Sequence, residues 1–280
     1  MADPPFEVAT SDGVLHGHTA GRGAPALLLH GGPGVPDYLE GCAAELANLF
    51  TTIRYTQRGT APSTVGPPYT IESHMEDAVA VLDAFELEQA WVIGHSWGGH
   101  LALHLAAAHP ERFHGIVCVG TVGAFPEPLA TLHENLRRDL AGDERARIAE
   151  IDEREEAGEL TEGDVLERQA ILWPHYFFDP ATAPGQLTDT IGLECLLETS
   201  RSIEEHFELG ALAGNLRKRV RMPALFAHGM ADPLPVESSV DTAKHIRKAR
   251  VARIPRAGHY PWIEQPGFLN RMLRGLIAQL

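Results

Sequence analysis

Short apolar runs alternate along this chain with stretches whose apolar residues recur every three to four positions. The runs at 26–30, 91–94, 115–120 and 223–229 are rich in Leu, Ile, Val and Ala, while 50–55 is β-rich and 249–254 reads as a further strand. That pattern predicts strands buried on both faces. The stretches 37–49, 70–85, 99–108, 236–246 and 268–280 carry helical spacing, and Thr70 has the character of an N-cap. Two further runs, 6–10 and 14–19, flank Ser11-Asp12-Gly13, which predicts a hairpin. Strands alternating with helices imply βαβ units and a mostly parallel, doubly wound sheet, an α/β fold.

The rhythm breaks at Phe125-Pro126-Glu127-Pro128. From there to about Val220 the pattern is helical and charged, with no clear strand. Gly158 reads as a helix stop, and Thr161 with Asp164 as the start of the next helix. Residues 124–221 are therefore expected to form a helical cap inserted into a core made of 1–123 and 222–280. The Glu- and Arg-dense stretch 142–156 reads as a solvated helix face. The aromatic cluster Trp173, Tyr176, Phe177 and Phe178 has two readings: the cap's own core, or the lining of a pocket beneath it.

Composition narrows the function classes. The 280 residues suffice for one large domain with an insertion. A formal charge of −15 repels phosphate backbones, so nucleic-acid binding is not expected. No run approaches a membrane span, and the acidic start Met1-Ala2-Asp3-Pro4-Pro5-Phe6-Glu7 lacks a secretory pattern. Cys42, Cys118 and Cys195 are far apart and odd in number, which points to reduced thiols, two of them in the core. The expectation is a cytoplasmic protein, with no membrane partner and its oligomeric state open.

Candidate chemistry centres on Gly94-His95-Ser96-Trp97-Gly98, a Gly-x-Ser-x-Gly between the 91–94 run and a small-residue helix. In that context the turn is a nucleophile elbow, which strains the serine and exposes its hydroxyl. Gly94 and Gly98 are required because side chains there would meet neighbouring backbone. A serine nucleophile needs a base, and the base needs an orienting carboxylate. Downstream, Asp232 follows the 223–229 run and His259 follows the 249–254 run, so both are expected at the C-terminal ends of strands. The oxyanion donors are expected to be the backbone N–H groups of Trp97 and of Gly32, in the Gly-rich turn after residue 30. His30, His95 and His228 also adjoin strand ends and read as structural or pocket-wall residues; Trp173, Tyr176, Phe177 and Trp262 join His30 as candidate pocket residues. His100 and His104 stand four apart, but that face is expected to pack on the sheet, so no metal site is assigned.

Taken together, Gly94-His95-Ser96-Trp97-Gly98, Asp232 and His259 resemble the α/β-hydrolase superfamily over nearly the whole chain. His30-Gly31-Gly32-Pro33-Gly34 and Gln57-Arg58-Gly59 are similar to its proline iminopeptidase branch, peptidase family S33. The chain departs from that branch at Thr56, where the branch has Asp, and at Pro233, where some of its aminopeptidases place an amine-holding Glu. Trp173 is followed by Pro174-His175 rather than by Glu, leaving Glu167, Glu194, Glu198, Glu204 and Glu205 as candidate amine anchors outside any motif. The expectation is a cofactor-free serine hydrolase acting on an ester, lactone or amide of a small molecule. Its alternatives are an iminopeptidase-type aminopeptidase, a carbon–carbon bond hydrolase with the same triad, a small-molecule receptor, and a biosynthetic acyltransferase or cyclase. Ser96 excludes the mechanisms of this fold that need an Asp nucleophile.

Overall fold

The computed structural model describes residues 4–277. The secretory-pattern reading at the N-terminus and the last residues of the 268–280 helix therefore fall partly outside the described residues. The hairpin expected around Ser11-Asp12-Gly13 is formed by β1 (Pro5–Ala9) and β2 (Val14–Gly21). Then follow β3 (Ala24–Leu29), α1 (Glu40–Leu46), β4 (Phe50–Tyr55), α2 (Ile71–Ala84), β5 (Ala90–His95), α3 (Trp97–Ala108) and β6 (Phe113–Val119). Five helices come next: α4 (Glu127–Arg138), α5 (Gly142–Glu156), α6 (Glu162–Leu172), α7 (Leu193–Leu209) and α8 (Ala211–Arg219). The chain closes with β7 (Ala224–Gly229), α9 (Glu237–Ala243), β8 (Ala249–Ile254), α10 (Pro261–Glu264) and α11 (Phe268–Ile277).

The eight strands form one sheet in the order β1-β2-β4-β3-β5-β6-β7-β8, antiparallel at the β1–β2 and β2–β4 pairings and parallel elsewhere. Alternation along each strand divides the core in two. Leu27, Leu29, Val92 and Phe226 face α2, α3 and α8, whereas Ala26, Leu28, Ile93 and Leu225 face α1 and α11. Being covered on both faces is why β3, β5, β6 and β7 read as near-continuous apolar runs.

Local signals explain the helix boundaries. Thr70 caps α2 by accepting the Ser73 N–H, and Thr161 with Asp164 forms a reciprocal capping box at the start of α6. The 37–49 stretch, by contrast, is helical only over Glu40–Leu46. Asp37 accepts the Leu39 N–H and pairs with Arg54, which holds the preceding residues in a turn.

The 124–221 segment does not all stand over the sheet. Leu212, Leu216 and Val220, in and just after α8, pack into the same core as α3. Helical spacing alone does not say which surface a helix covers. The expected orientation of His100 and His104 is also corrected: they face α7, with the His100 ring 5.1 Å from Phe207 and His104 5.1 Å from His206. His100 donates from Nδ1 to the Gly123 carbonyl at 2.6 Å, and its Nε2 accepts from His104 Nε2 at 3.2 Å. His100 thus finds its polar partners in the Gly123 carbonyl and in His104 while both rings pack on α7.

Burial keeps His100, and His74 on α2, neutral. His74 is pushed down to about 3 and His100 to about 4, each chiefly by desolvation. A histidine whose folded value lies below its unfolded value near 6.5 costs stability once the pH falls below that unfolded value. Each of the two is expected to cost about 2 kcal/mol at pH 5 relative to pH 7.5. Urea midpoints should fall accordingly between those pH values; a flat profile would mean that these imidazoles are not held neutral.

Candidate active site

Strand β5 and helix α3 meet at Ser96, whose backbone has φ 54° and ψ −118°. Few residues with a side chain tolerate that conformation. The close packing around the turn enforces it: a Cβ on Gly94 would run into the Gly98 carbonyl, and one on Gly98 into the carbonyls of Leu29 and His30. Ser96 is half-buried while Trp91–His95 and Trp97–His100 around it are buried. The Ser96 N–H bonds to Val119 O at 2.9 Å, which fixes the turn against the end of β6.

Asp232 and His259 come from the loops after β7 and β8. His259 Nδ1 lies 2.8 Å from Asp232 Oδ2, with both side chains buried. The pair converges beside Gly120, immediately after Val119: a Cβ there would stand 3.0 Å from Asp232 Oδ2 and 3.1 Å from His259 Nδ1. The elbow and the His–Asp pair are thus joined through two consecutive residues of one strand end. His228 supports the acid loop. It bonds to Leu234 O at 2.8 Å and to Ser239 at 2.9 Å, while Leu234 N–H donates to Asp232 Oδ1 at 2.9 Å.

The loop after β3 approaches Ser96 from the other side, since a Cβ on Gly31 would lie 3.0 Å from Ser96 Cβ. The backbone of this loop is pinned. His30 donates from Nδ1 to Gly31 O at 2.7 Å and accepts at Nε2 from the Gln57 N–H at 3.0 Å. Gln57 also donates to His30 O at 2.8 Å and accepts from Trp97 Nε1 at 2.9 Å, so it links the loop to the elbow. The Gly31 N–H is taken by the Tyr38 hydroxyl at 2.8 Å. Gly32, with φ +116°, is exposed, and its N–H has no partner among the described residues. Trp97 is the first residue of α3, where helix geometry leaves the N–H without an intrahelical acceptor.

The aromatic cluster resolves into distinct roles. The Tyr176 ring lies 5.3 Å from the His259 ring, and Tyr176 O accepts the His259 N–H at 2.7 Å. Burial and the Asp232 carboxylate push the Tyr176 hydroxyl up to about 12, so it stays protonated. Phe177 is buried and stacked on Tyr260 at 5.5 Å, with Trp173 edge-on at 5.0 Å. Phe178 is 50% exposed and belongs to neither the core nor the His259 contact. Trp262 reaches this cluster only through Tyr260, edge-on at 5.6 Å. It is 6% exposed, in the α1–α11 core, edge-on to His95 at 4.8 Å. Pro261 opens α10, and that short turn directs the indole back beneath the sheet end.

Two contributors carry no sequence signal of their own. Glu264 accepts the Phe178 N–H at 2.7 Å and the Gly258 N–H at 2.5 Å, tying the cap to the loop that holds His259. Burial pushes its carboxyl above the usual range despite those two donors. Tyr38 lies in the part of the 37–49 stretch that precedes α1, where helical spacing gives no hint of its role. Of the candidate amine anchors, Glu194, Glu204 and Glu205 are exposed, and exposed Glu167 is bound by Arg147 at 2.8 Å. Glu198 alone of the five is half-buried.

An open α/β sheet with an elbow serine and a His–Asp pair at its strand ends defines a class of enzyme, the hydrolases of this architecture. A family model described as the alpha/beta hydrolase fold matches residues 25–266, and the chain belongs to that family. A 2-hydroxymuconate semialdehyde hydrolase from Pseudomonas putida is 28% identical over 284 residues, covering 94% of this chain and 90% of that protein. A serine hydrolase from Cycloclasticus zankles has the same fold, with a TM-score of 0.71 at 20% identity, covering 99% of this chain and 98% of that one. A proline iminopeptidase from Mycobacterium smegmatis superposes with a TM-score of 0.69 at 21% identity, covering 99% and 98%. Among the described residues, no helix is long and apolar enough to cross a membrane.

Proposed function

We propose that this hydrolase cleaves an ester, lactone or amide of a small molecule through an acyl-enzyme on Ser96. His259 takes the Ser96 proton as the oxygen attacks the substrate carbonyl, then gives it to the leaving group. Asp232 holds the imidazole in the tautomer with hydrogen on Nδ1 and stabilises the imidazolium. The N–H groups of Gly32 and Trp97 receive the oxyanion, and water then releases the acyl group by the reverse sequence. Every proton in this scheme has a protein donor or acceptor, so the mechanism requires no cofactor. The observation that carries the reading is the strained, half-buried Ser96, whose N–H binds the end of β6 next to Gly120, where the buried His259–Asp232 pair at 2.8 Å converges.

A second reading is favoured by the Pseudomonas putida relative, a 2-hydroxymuconate semialdehyde hydrolase that matches 94% of this chain. The same groups could then cleave a carbon–carbon bond beside a ketone. The aminopeptidase reading gains no comparable support. A free-amine substrate calls for a carboxylate in the pocket, and four of the five candidate glutamates are exposed.

The test is turnover of p-nitrophenyl butyrate, proline p-nitroanilide and 2-hydroxymuconate semialdehyde side by side, with fluorophosphonate labelling of Ser96. The expected result is ester turnover and labelling. Preferred turnover of the semialdehyde would replace the acyl-transfer assignment with carbon–carbon cleavage. Preferred turnover of the proline amide would restore the aminopeptidase and make Glu198 the first residue to mutate.

A further inference from the structure

Building on the mechanism proposed above, we infer that Tyr38 and His95 are positioning residues, a hydrogen-bonded bridge that sets the oxyanion loop and the base loop at one fixed spacing across Ser96.

Proton counting fixes the direction of every bond in the bridge. His95 Nε2 lies 2.9 Å from the His259 carbonyl oxygen. A carbonyl can only accept, so Nε2 carries the hydrogen. His95 is buried, and burial together with neighbouring His259 holds it neutral, so its Nδ1 has a lone pair. Tyr38 Oη lies 2.6 Å from that Nδ1 and must therefore donate to it. The same oxygen accepts the Gly31 N–H at 2.8 Å. The chain runs Gly31 N–H to Tyr38 O–H to His95, and from His95 N–H to the His259 carbonyl, with one arrangement of hydrogens that satisfies all four groups.

The bridge spans the moving parts of the reaction. One end is the peptide before Gly32, the proposed oxyanion donor. The other end is the backbone of the proposed base. The middle is the residue immediately before the nucleophile. Gly31 is held at both polar atoms, since its carbonyl also accepts from His30 Nδ1 at 2.7 Å. Its N–H is thereby withdrawn from the oxyanion hole, and Gly32 presents the next one. The His95 ring cannot swing freely, because it is packed against His259 at 4.6 Å, Tyr260 at 5.1 Å and Trp262 at 4.8 Å. Neither Tyr38 nor His95 keeps a spare hydrogen for substrate. Both act through the backbone of Gly31 and His259.

The size of the effect follows from what is positioned. Losing an oxyanion donor costs about 100- to 1,000-fold in kcat, and small misplacements cost about 100-fold. The test measures kcat, KM, fluorophosphonate labelling rate and urea midpoint for wild type, Tyr38→Phe, His95→Leu, His95→Gln and Ser96→Ala. Tyr38→Phe should lose about tenfold or more in kcat, and His95→Leu about 100-fold, with KM within about threefold and labelling rates falling in parallel. Gln can place an N–H where His95 Nε2 stands, so His95→Gln should recover about tenfold over His95→Leu. Tyr38→Phe at wild-type kcat, or His95→Gln no better than His95→Leu, would overturn the inference while an inactive Ser96→Ala leaves the mechanism standing. Should His95→Leu fail to fold, Tyr38→Phe alone decides. An active Ser96→Ala would bring down the mechanism and this inference together.

Discussion

Ser96→Ala is expected to lower turnover by about 10,000-fold or more while leaving the urea midpoint unchanged. The two halves of that prediction have separate causes. On the proposed mechanism, activity is lost because no other oxygen at the elbow can attack, and His259 with Asp232 then has no alcohol to deprotonate. What remains is the residual help of the Gly32 and Trp97 donors and of substrate binding. Stability is kept because the Ser96 hydroxyl has no hydrogen-bond partner among the described residues, so truncation breaks no bond. Alanine also keeps the Cβ that makes φ 54° unfavourable. Glycine removes it, so Ser96→Gly should be equally inactive yet more stable by about 1 kcal/mol. Measuring kcat and urea midpoint for both variants checks this. A stabilised alanine variant would show that the strain lies in the hydroxyl's surroundings and not in the backbone.

The elbow is legible in the sequence because its chemistry is local. Gly94, Ser96 and Gly98 fall within five consecutive residues, and the two glycines are dictated by backbone packed against the same turn. The strands are legible because double burial leaves unbroken apolar runs, as in Leu27-Leu28-Leu29, whose side chains divide between the two core faces. Asp232 and His259 are legible by chain order and by their position after apolar runs. The direction of Trp262 is not, because a residue three after His259 can point either way, and only the Pro261 turn decides. Tyr38 and Glu264 are invisible for another reason. Each acts by accepting or relaying a backbone hydrogen, and the partners, Gly31 and His95 for one, Gly258 and Phe178 for the other, are set by tertiary approach.

That approach also explains how the cap reaches the chemistry. The segment 176–178 holds the His259 loop through the Tyr176 carbonyl, the Phe177–Tyr260 stack and the Phe178 bond to Glu264. The cap residues nearest the base therefore serve as part of its mount. Gly34 and Val35 in the loop after β3 are likewise covered by Gly192 and Leu196 at the start of α7. Cap and catalytic loops share hydrogen bonds and packing, so substitutions in the cap are expected to alter kcat as well as specificity.

Asp77→Ala is expected to cost about 3–5 kcal/mol of stability, because it strands a buried charge. Asp77 and Arg58 form a two-pronged pair, with Nε to Oδ2 and Nη2 to Oδ1 both at 2.8 Å and each side chain 3% exposed. Removing the carboxylate leaves a buried guanidinium whose remaining acceptors are the Pro68 carbonyl at 2.8 Å and the Gly66 carbonyl at 3.3 Å. Two carbonyl dipoles do not neutralise a full charge away from water. Replacing both partners, as in Arg58→Met with Asp77→Leu, removes the charge and its counter-ion together and should cost far less than Asp77→Ala. The consequence extends to the site, because Gln57, the neighbour of Arg58, holds both His30 and Trp97. Asp77→Ala should therefore also lower kcat below the temperature at which it unfolds. Urea denaturation of the two single variants and the double variant gives the coupling directly. A cost below about 1 kcal/mol for Asp77→Ala would show that Arg58 swings out to water when its partner is removed, and that the loop after β4 is held without the ion pair.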